Sequence, residues 1–156
     1  TGAPASAPAP AESGLTIAKR FAGQNGEGID LARVSQGDRV VVVLTLQSKT
    51  SQSHPVVIAD LLPAGFEIEA ILNPSDAGET GAYGWIGNLS RTDVAEARDD
   101  RFVAALDVTD TDPRRLAYIV RAVTPGEFAY PGAVAEDMYD PAVFARSQAG
   151  RITIQP

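Results

Sequence analysis

The sequence contains no cysteine and only one histidine, His54. The absence of cysteine excludes disulfides, cysteine–metal sites and a cysteine nucleophile, and it leaves the redox compartment open. One histidine without cysteine makes a poor zinc site. A catalytic serine triad is also unsupported, because the sequence has no G-x-S-x-G motif. Since His54 lies between a serine and a proline just before a predicted strand, we interpret it as a surface turn residue.

The chain also lacks an excess of basic residues and any apolar run of membrane-spanning length. Its 13 Lys and Arg against 20 Asp and Glu give a formal net charge of −7, which argues against a nucleic-acid partner. No apolar run approaches the about 20 residues that a transmembrane helix needs. With 156 residues, 44% of them hydrophobic, the chain can bury the core of one domain.

The N-terminal stretch Thr1–Gly14 is rich in alanine, proline and serine and has no large apolar residue. Such a composition cannot bury enough surface to become ordered, and repeated proline favours extended backbone. We therefore predict a linker over residues 1–14 and one domain over residues 15–156. We expect the chain to be an excised or processed piece of a longer protein, because it starts at Thr1 and not at Met.

Short apolar runs between turn residues dominate the rest of the chain. Arg39–Gln47 is almost continuously apolar, as expected for a strand covered on both faces. Further strand-like runs occur at 15–22, 55–62, 66–70, 102–108, 116–122 and 152–154. In three of these runs alternation predicts one inward face, formed by the following residues: Phe66, Ile68 and Ala70; Phe102, Ala104, Leu106 and Val108; and Leu116, Tyr118, Val120 and Ala122. No long helical segment separates them, and only Leu89–Ala97 suggests a weak helical turn. The pattern predicts an all-β fold, an antiparallel β-sandwich of about seven strands.

Two groups of acidic residues could carry chemistry. Asp107–Pro113, DVTDTDP, has clustered carboxylates but lacks the central glycine and closing glutamate of a calcium loop, so we interpret it as a strand connection. Asp99 and Asp100 could serve a small hydrolase only in a pocket that separates their pKa values. The arginines that flank them favour a solvated charge cluster. From the residues alone we predict no catalytic residue, metal or cofactor.

Aromatic residues stand in two loop segments. Tyr83 and Trp85 lie in a glycine-rich segment that could bind ligand in an Ig-like adhesion or carbohydrate-binding module, although a Trp that plugs the sandwich edge is the commoner arrangement. Asp137, Met138 and Tyr139 lie in a polar loop. A flexible thioether beside an amphipathic ring suits adaptable contact with another surface. The residue types alone still favour side chains that fold back onto their own domain.

Six segments together resemble the last macroglobulin-like domain of bacterial α2-macroglobulins. They are QGDRVVVVLTL (36–46), LLPAGFEIE (61–69), RDDRFVAALD (98–107), LAYIVRAVTPGEF (116–128), EDMYDP (136–141) and GRITI (150–154). The resemblance runs from about Gly14 to the C-terminus and keeps the order of the family. It implies a non-catalytic macroglobulin/Ig-like β-sandwich that belongs to a much larger protein.

The resemblance implies that the parent protein is a periplasmic lipoprotein, held at the inner membrane, that traps proteases. Cleavage of a bait region rearranges the molecule, and an internal thioester in a separate domain of the same parent chain then reacts with the attacking protease. By the resemblance, Asp137, Met138 and Tyr139 contact the thioester domain, and Met138 and Tyr139 shield the thioester from water and small amines. Where a basic residue is expected next, this chain has Asp140. Because the thioester domain that would cover them is not part of this sequence, Met138 and Tyr139 should be more exposed than core residues such as Tyr118.

Overall fold

The computed structural model of the chain describes residues 9–76 and 82–156. Within them the chain forms strands β1 (Ala11–Ser13), β2 (Leu15–Ala22), β3 (Val34–Ser35), β4 (Arg39–Ser48), β5 (His54–Leu61), β6 (Phe66–Ile71), β7 (Val94–Ala97), β8 (Arg101–Val108), β9 (Arg114–Ala122), β10 (Gly126–Tyr130), β11 (Val134–Asp137), β12 (Phe144–Arg146) and β13 (Gly150–Gln155). Two short 3-10 turns lie at Pro74–Asp76 and Gly84–Ile86. No helix among the described residues is long and apolar enough to cross a bilayer.

The strands form three sheets. Six strands follow the order β1-β12-β11-β5-β8-β7, four follow β2-β4-β9-β6, and three follow β10-β13-β3. Neighbouring strands are antiparallel, apart from the short parallel pair of β13 with β3. The predicted antiparallel β-sandwich is therefore confirmed, and β4 lies inside its sheet, as expected from its apolar sequence.

The main core lies between the six-stranded and four-stranded sheets. Alternation places every second side chain of a strand on one face of its sheet. The predicted inward faces of β8 and β9 are confirmed, since the following residues all belong to this core: Phe102, Ala104, Leu106, Val108, Leu116, Tyr118, Val120 and Ala122. They pack with the even-numbered residues of β4 from Val40 to Leu46.

A second, smaller core covers the outer face of the four-stranded sheet. Val41 and Val43 of β4 point to this face and are buried there with Ile86 and Leu89 from the long β6–β7 connection. The side chain of Trp85 packs against the same cluster. Strand β4 is thus covered on both faces, which is why nearly every residue of it is apolar.

Three local predictions are wrong. Residues 94–97 form β7, so the helical turn predicted at Leu89–Ala97 is absent, because the free edge of β8 offers backbone partners to this segment. In β6 the register shifts between Ile68 and Ala70, which leaves Ala70 exposed instead of inward-facing. Of the predicted linker, residues 1–8 lie outside the described part of the chain. Residues 11–13 belong to the folded domain, because they form β1 and its backbone pairs with β12.

Candidate functional site

The backbone between β11 and β12 is fixed by its own hydrogen bonds. Every backbone N–H from Asp137 to Val143 has an acceptor, and Pro141 has no backbone N–H. The N–H groups of Asp137, Met138 and Val143 donate to the carbonyls of Val143, Pro55 and Asp140, at 2.9, 2.8 and 2.9 Å. Those of Tyr139, Asp140 and Ala142 donate to carboxylate oxygens, at 2.8, 3.1 and 3.1 Å. The loop is therefore a preformed turn that contains no unpaired backbone donor.

The side chain of Asp137 organises this turn. Its Oδ1 accepts the N–H groups of Tyr139 and Asp140, and its Oδ2 lies 2.8 Å from Nδ1 of His54. Both side chains are about nine-tenths buried. The interpretation of His54 as a surface turn residue is therefore wrong: it begins β5, and β5 lies directly beside β11 in the sheet. The pairing joins residues 83 positions apart, which no local sequence signal reveals.

The hydrogen bonds also set the acidity of Asp137. The N–H of Tyr139 makes the largest contribution to holding the pKa of this carboxyl below its usual value, with further lowering by His54 and the N–H of Asp140, against the opposing effect of burial. Asp137 is therefore a carboxylate at neutral pH and can only accept hydrogen bonds.

Met138 and Tyr139 project away from this fixed turn. Met138 is 48% exposed and Tyr139 is 86% exposed, whereas Tyr118 is fully buried. The expectation of exposure is confirmed, and the alternative in which the two side chains fold back onto their own domain is wrong. Within the described residues, only one other large apolar side chain, Val94 at 44%, is so exposed.

The stretch predicted as linker also supports the loop. Ser13 of β1 donates its hydroxyl to the carbonyl of Ala142 at 2.6 Å. Gly14, in a left-handed conformation at φ 79°, makes an isolated bridge with Phe144 and leaves room for the side chain of Val143. The loop is thus held from two sides, by β5 and by the segment that precedes β2.

The other acidic candidates lie in strand connections, as predicted. Asp110 accepts hydrogen bonds from the N–H of Asp112 and from Arg114, both at 2.9 Å, and Arg114 makes the largest contribution to lowering its pKa. Asp100 pairs with its neighbour Arg101 at the exposed start of β8. In the described part of the chain, no three His, Asp or Glu side chains are grouped so that they could hold a metal.

Trp85 is part of the packing of the domain. Its Nε1 donates to the carbonyl of Gln24 at 2.9 Å, and the guanidinium of Arg20 lies 5.4 Å from its ring centre. Gly26 approaches the ring so closely that a Cβ there would lie 2.8 Å from Cδ2. The Trp covers the outer face of the four-stranded sheet and does not plug the sandwich edge. Arg20 and Gly26 thus occupy ring surface that a sugar-binding Trp would leave open.

A buried polar group joins the two large sheets, and no local pattern pointed to it. Nζ of Lys19 on β2 lies 2.7 Å from Oδ1 of Asp60 on β5, with both side chains at most 4% exposed. The hydroxyl of Tyr118 donates to the other oxygen of Asp60. The ammonium group also lies over the rings of Phe21 and Tyr130, at 5.0 and 4.8 Å. Burial, and then the charge of Asp60, raise the pKa of Tyr118 well above its usual value.

Comparison with known proteins gives consistent matches. A family described as the bacterial alpha-2-macroglobulin MG10 domain matches residues 14–142. An alpha-2-macroglobulin of Escherichia coli is 40% identical over 150 residues, which are 90% of this chain and 9% of the relative. One of Xylella fastidiosa is 35% identical over 152 residues, or 91% of this chain and 9% of the relative.

Solved structures agree with these sequence matches. A Salmonella alpha-2-macroglobulin reacted with methylamine superimposes with a TM-score of 0.84 at 34% identity, over 98% of this chain and 10% of that one. A native Escherichia coli alpha-2-macroglobulin fragment, from domain MG7 to the C-terminus, gives 0.85 at 35% identity, over 98% and 25%. This chain thus spans about a tenth of the length of the curated relatives it matches.

Proposed function

This chain belongs to the bacterial alpha-2-macroglobulin MG10 domain family, and we propose that it is a non-catalytic docking domain of a protease trap. In this proposal, the Asp137-Met138-Tyr139 loop packs against the thioester domain of the same parent chain. Met138 and Tyr139 shield the thioester there until a protease cuts the parent. The targets of the parent are proteases, in line with relatives described as activated by porcine elastase and by trypsin.

One observation carries the proposal: two exposed, largely apolar side chains project from a loop with no unpaired backbone donor. A contact residue on a mobile loop must be ordered on docking, which costs side-chain and backbone entropy. Here the hydrogen bonds of the loop have already fixed the backbone of Met138 and Tyr139. A shield must also keep water out continuously, so a rigid support suits the role.

The chemistry of the two side chains fits a cover over a reactive acyl group. Water and small amines destroy a thioester, and a thioether beside a phenol ring can fill an irregular surface and exclude both. When a cut in the bait region moves the domains apart, the same rigid loop would leave as a unit and expose the thioester.

The test uses the full-length parent before any protease is added. Replacing both Met138 and Tyr139 by alanine should speed methylamine incorporation and the appearance of a free thiol by about tenfold or more, a factor that corresponds to losing about 1.4 kcal/mol of protection. Val94→Ala is the matched control, because Val94 is a similarly exposed apolar residue on a different edge of the sandwich. Equal rates in wild type and the double variant would refute the shielding role.

Two further parts of the proposal concern the parent. We place it in the periplasm, anchored by lipid to the inner membrane, as the resemblance of the six segments implies. The parent sequence should then carry a lipoprotein signal at its start and a C-x-E-Q thioester motif upstream of this domain. If the parent lacks the thioester motif, the shielding role is refuted. The docking of the loop against its neighbouring domain does not depend on that motif and is tested separately.

A further inference from the structure

His54 contacts the loop from the neighbouring strand β5, and the proposed function gives it no role. It begins β5, and the next residue, Pro55, accepts the N–H of Met138 at 2.8 Å. Its Nδ1 lies 2.8 Å from Oδ2 of Asp137, with only 10% of the imidazole exposed. The dipeptide thus contacts the loop at two successive residues, once through a side chain and once through a carbonyl.

The roles of the atoms follow from the charges. Asp137 is ionised at neutral pH and offers only acceptors, so Nδ1 of His54 must carry the hydrogen that lies between them. A bond to a charged acceptor is roughly twice as strong as one between neutral groups. It also orients the carboxylate, because with Oδ2 fixed by the imidazole, Oδ1 faces the N–H groups of Tyr139 and Asp140.

We propose that His54 is the positioning residue of the contact loop, residues 137–139. By donating a hydrogen bond to Asp137 it fixes the orientation of the carboxylate, which in turn fixes the backbone of Tyr139. The inference rests on the proposed function for its biological meaning. Its structural content, that the conformation of residues 138–140 depends on a hydrogen bond from residue 54, stands on the geometry of this chain alone. His54 acts through Asp137 and contacts no reacting atom.

The first test needs no substitution. His54 is the only histidine in the chain, so its ring nitrogens can be assigned without ambiguity by long-range proton–nitrogen NMR. At neutral pH we expect the hydrogen on Nδ1, with a protected signal and a slow exchange rate. A neutral ring with its hydrogen on Nε2 would overturn the proposal, because Nδ1 could then not donate to Asp137.

The second test compares two substitutions of similar size. In His54→Asn the amide nitrogen takes roughly the place of Nδ1 and can still donate, whereas in His54→Leu a methyl group takes that place. We expect the amides of Tyr139 and Asp140 to exchange about tenfold faster or more in the Leu variant, as loss of a charge-assisted bond implies. The Asn variant should stay within about threefold of wild type, a difference well below the value of one such bond.

Amides of the main core, such as that of Tyr118, report whether each variant is folded. If the Leu variant exchanges at wild-type rates at Tyr139 and Asp140, or if Asn behaves like Leu, donation from residue 54 does not position the loop. If core amides also lose protection in the Leu variant, the Asn variant and the wild-type ring spectrum decide the question.

The same variants in the full-length parent separate this inference from the proposed function. We expect His54→Leu to speed methylamine incorporation although Met138 and Tyr139 are intact, and His54→Asn to restore the slow rate. If replacing Met138 and Tyr139 has no effect on methylamine incorporation, the shield is refuted, but the exchange data on this chain still decide the role of His54. If the shield is confirmed and His54→Leu reacts like wild type, only the positioning role fails.

Discussion

The buried pair of Lys19 and Asp60 gives the sharpest stability prediction, because an exposed pair with a similar nitrogen–oxygen distance serves as its control. The nitrogen–oxygen distance is 2.7 Å for Lys19–Asp60 and 2.8 Å for Lys49–Glu12. The side chains of the first pair are 4% and 0% exposed, and those of the second are 46% and 53% exposed. Burial therefore differs, while the nitrogen–oxygen distance is nearly the same.

We predict that Lys19→Met lowers the free energy of unfolding by about 3 kcal/mol. Removing one member of a buried ion pair costs about 3–5 kcal/mol, since the other charge is left without its partner. The lower end applies here, because the hydroxyl of Tyr118 still donates to Asp60. Lys49→Met should cost only about 0.2–1 kcal/mol, as exposed pairs do.

Urea unfolding followed by circular dichroism measures both variants. With a slope of about 2 kcal/mol per molar urea, the midpoint of Lys19→Met should fall by about 1.5 M. Replacing Lys19, Asp60 and Tyr118 together by Met, Leu and Phe should return stability to within about 1 kcal/mol of wild type, because no buried charge remains unpaired. The reasoning is refuted if Lys19→Met costs no more than Lys49→Met, or if the triple variant is as unstable as the single one.

Two further predictions follow from the loop and from the outer face. The lowered pKa of Asp137 means that its stabilisation of the loop is complete above its unfolded pKa of about 3.9 and is lost as pH falls through the lower folded value. The amide of Tyr139 should accordingly stay protected from hydrogen exchange at pH 5. Faster exchange that begins above pH 5 would contradict the lowered pKa of Asp137. Gly26→Ala should destabilise the domain by about 1–3 kcal/mol more than Gly37→Ala and shift the emission of Trp85 to the red. Both glycines have positive φ, but only at Gly26 would the new methyl meet the indole, so equal effects of the two changes would contradict this packing.

Local patterns were sufficient for the class of fold and for the longer strands, although they missed β1 and β7. The continuous apolar run at Arg39–Gln47 predicted a strand covered on both faces, and β4 has a core on each side. Period-two alternation in β8 and β9 likewise identified the inward faces. These predictions succeed because burial on one face of a strand constrains every second residue, which the sequence records directly.

The contact loop was only partly predictable. A lone methionine beside a tyrosine in a polar loop, with the family resemblance, identified Met138 and Tyr139, and their exposure is confirmed. The support beneath them was missed, because a histidine before a proline looks like an ordinary turn residue. That His54 is buried becomes visible only once β5 and β11 are adjacent strands.

The sequence by itself thus determined the all-β fold class, the main strands such as β4, β8 and β9, and the side chains of β8 and β9 that face inward. The tertiary structure alone decided which polar groups meet: Lys19 with Asp60 across 41 positions, Tyr118 with Asp60 across 58, and His54 with Asp137 across 83. Hydrophobic burial is non-directional and can be inferred from periodicity, whereas a hydrogen bond needs two particular atoms within about 3 Å. Strand order and register set that distance, and neither is encoded in any local pattern.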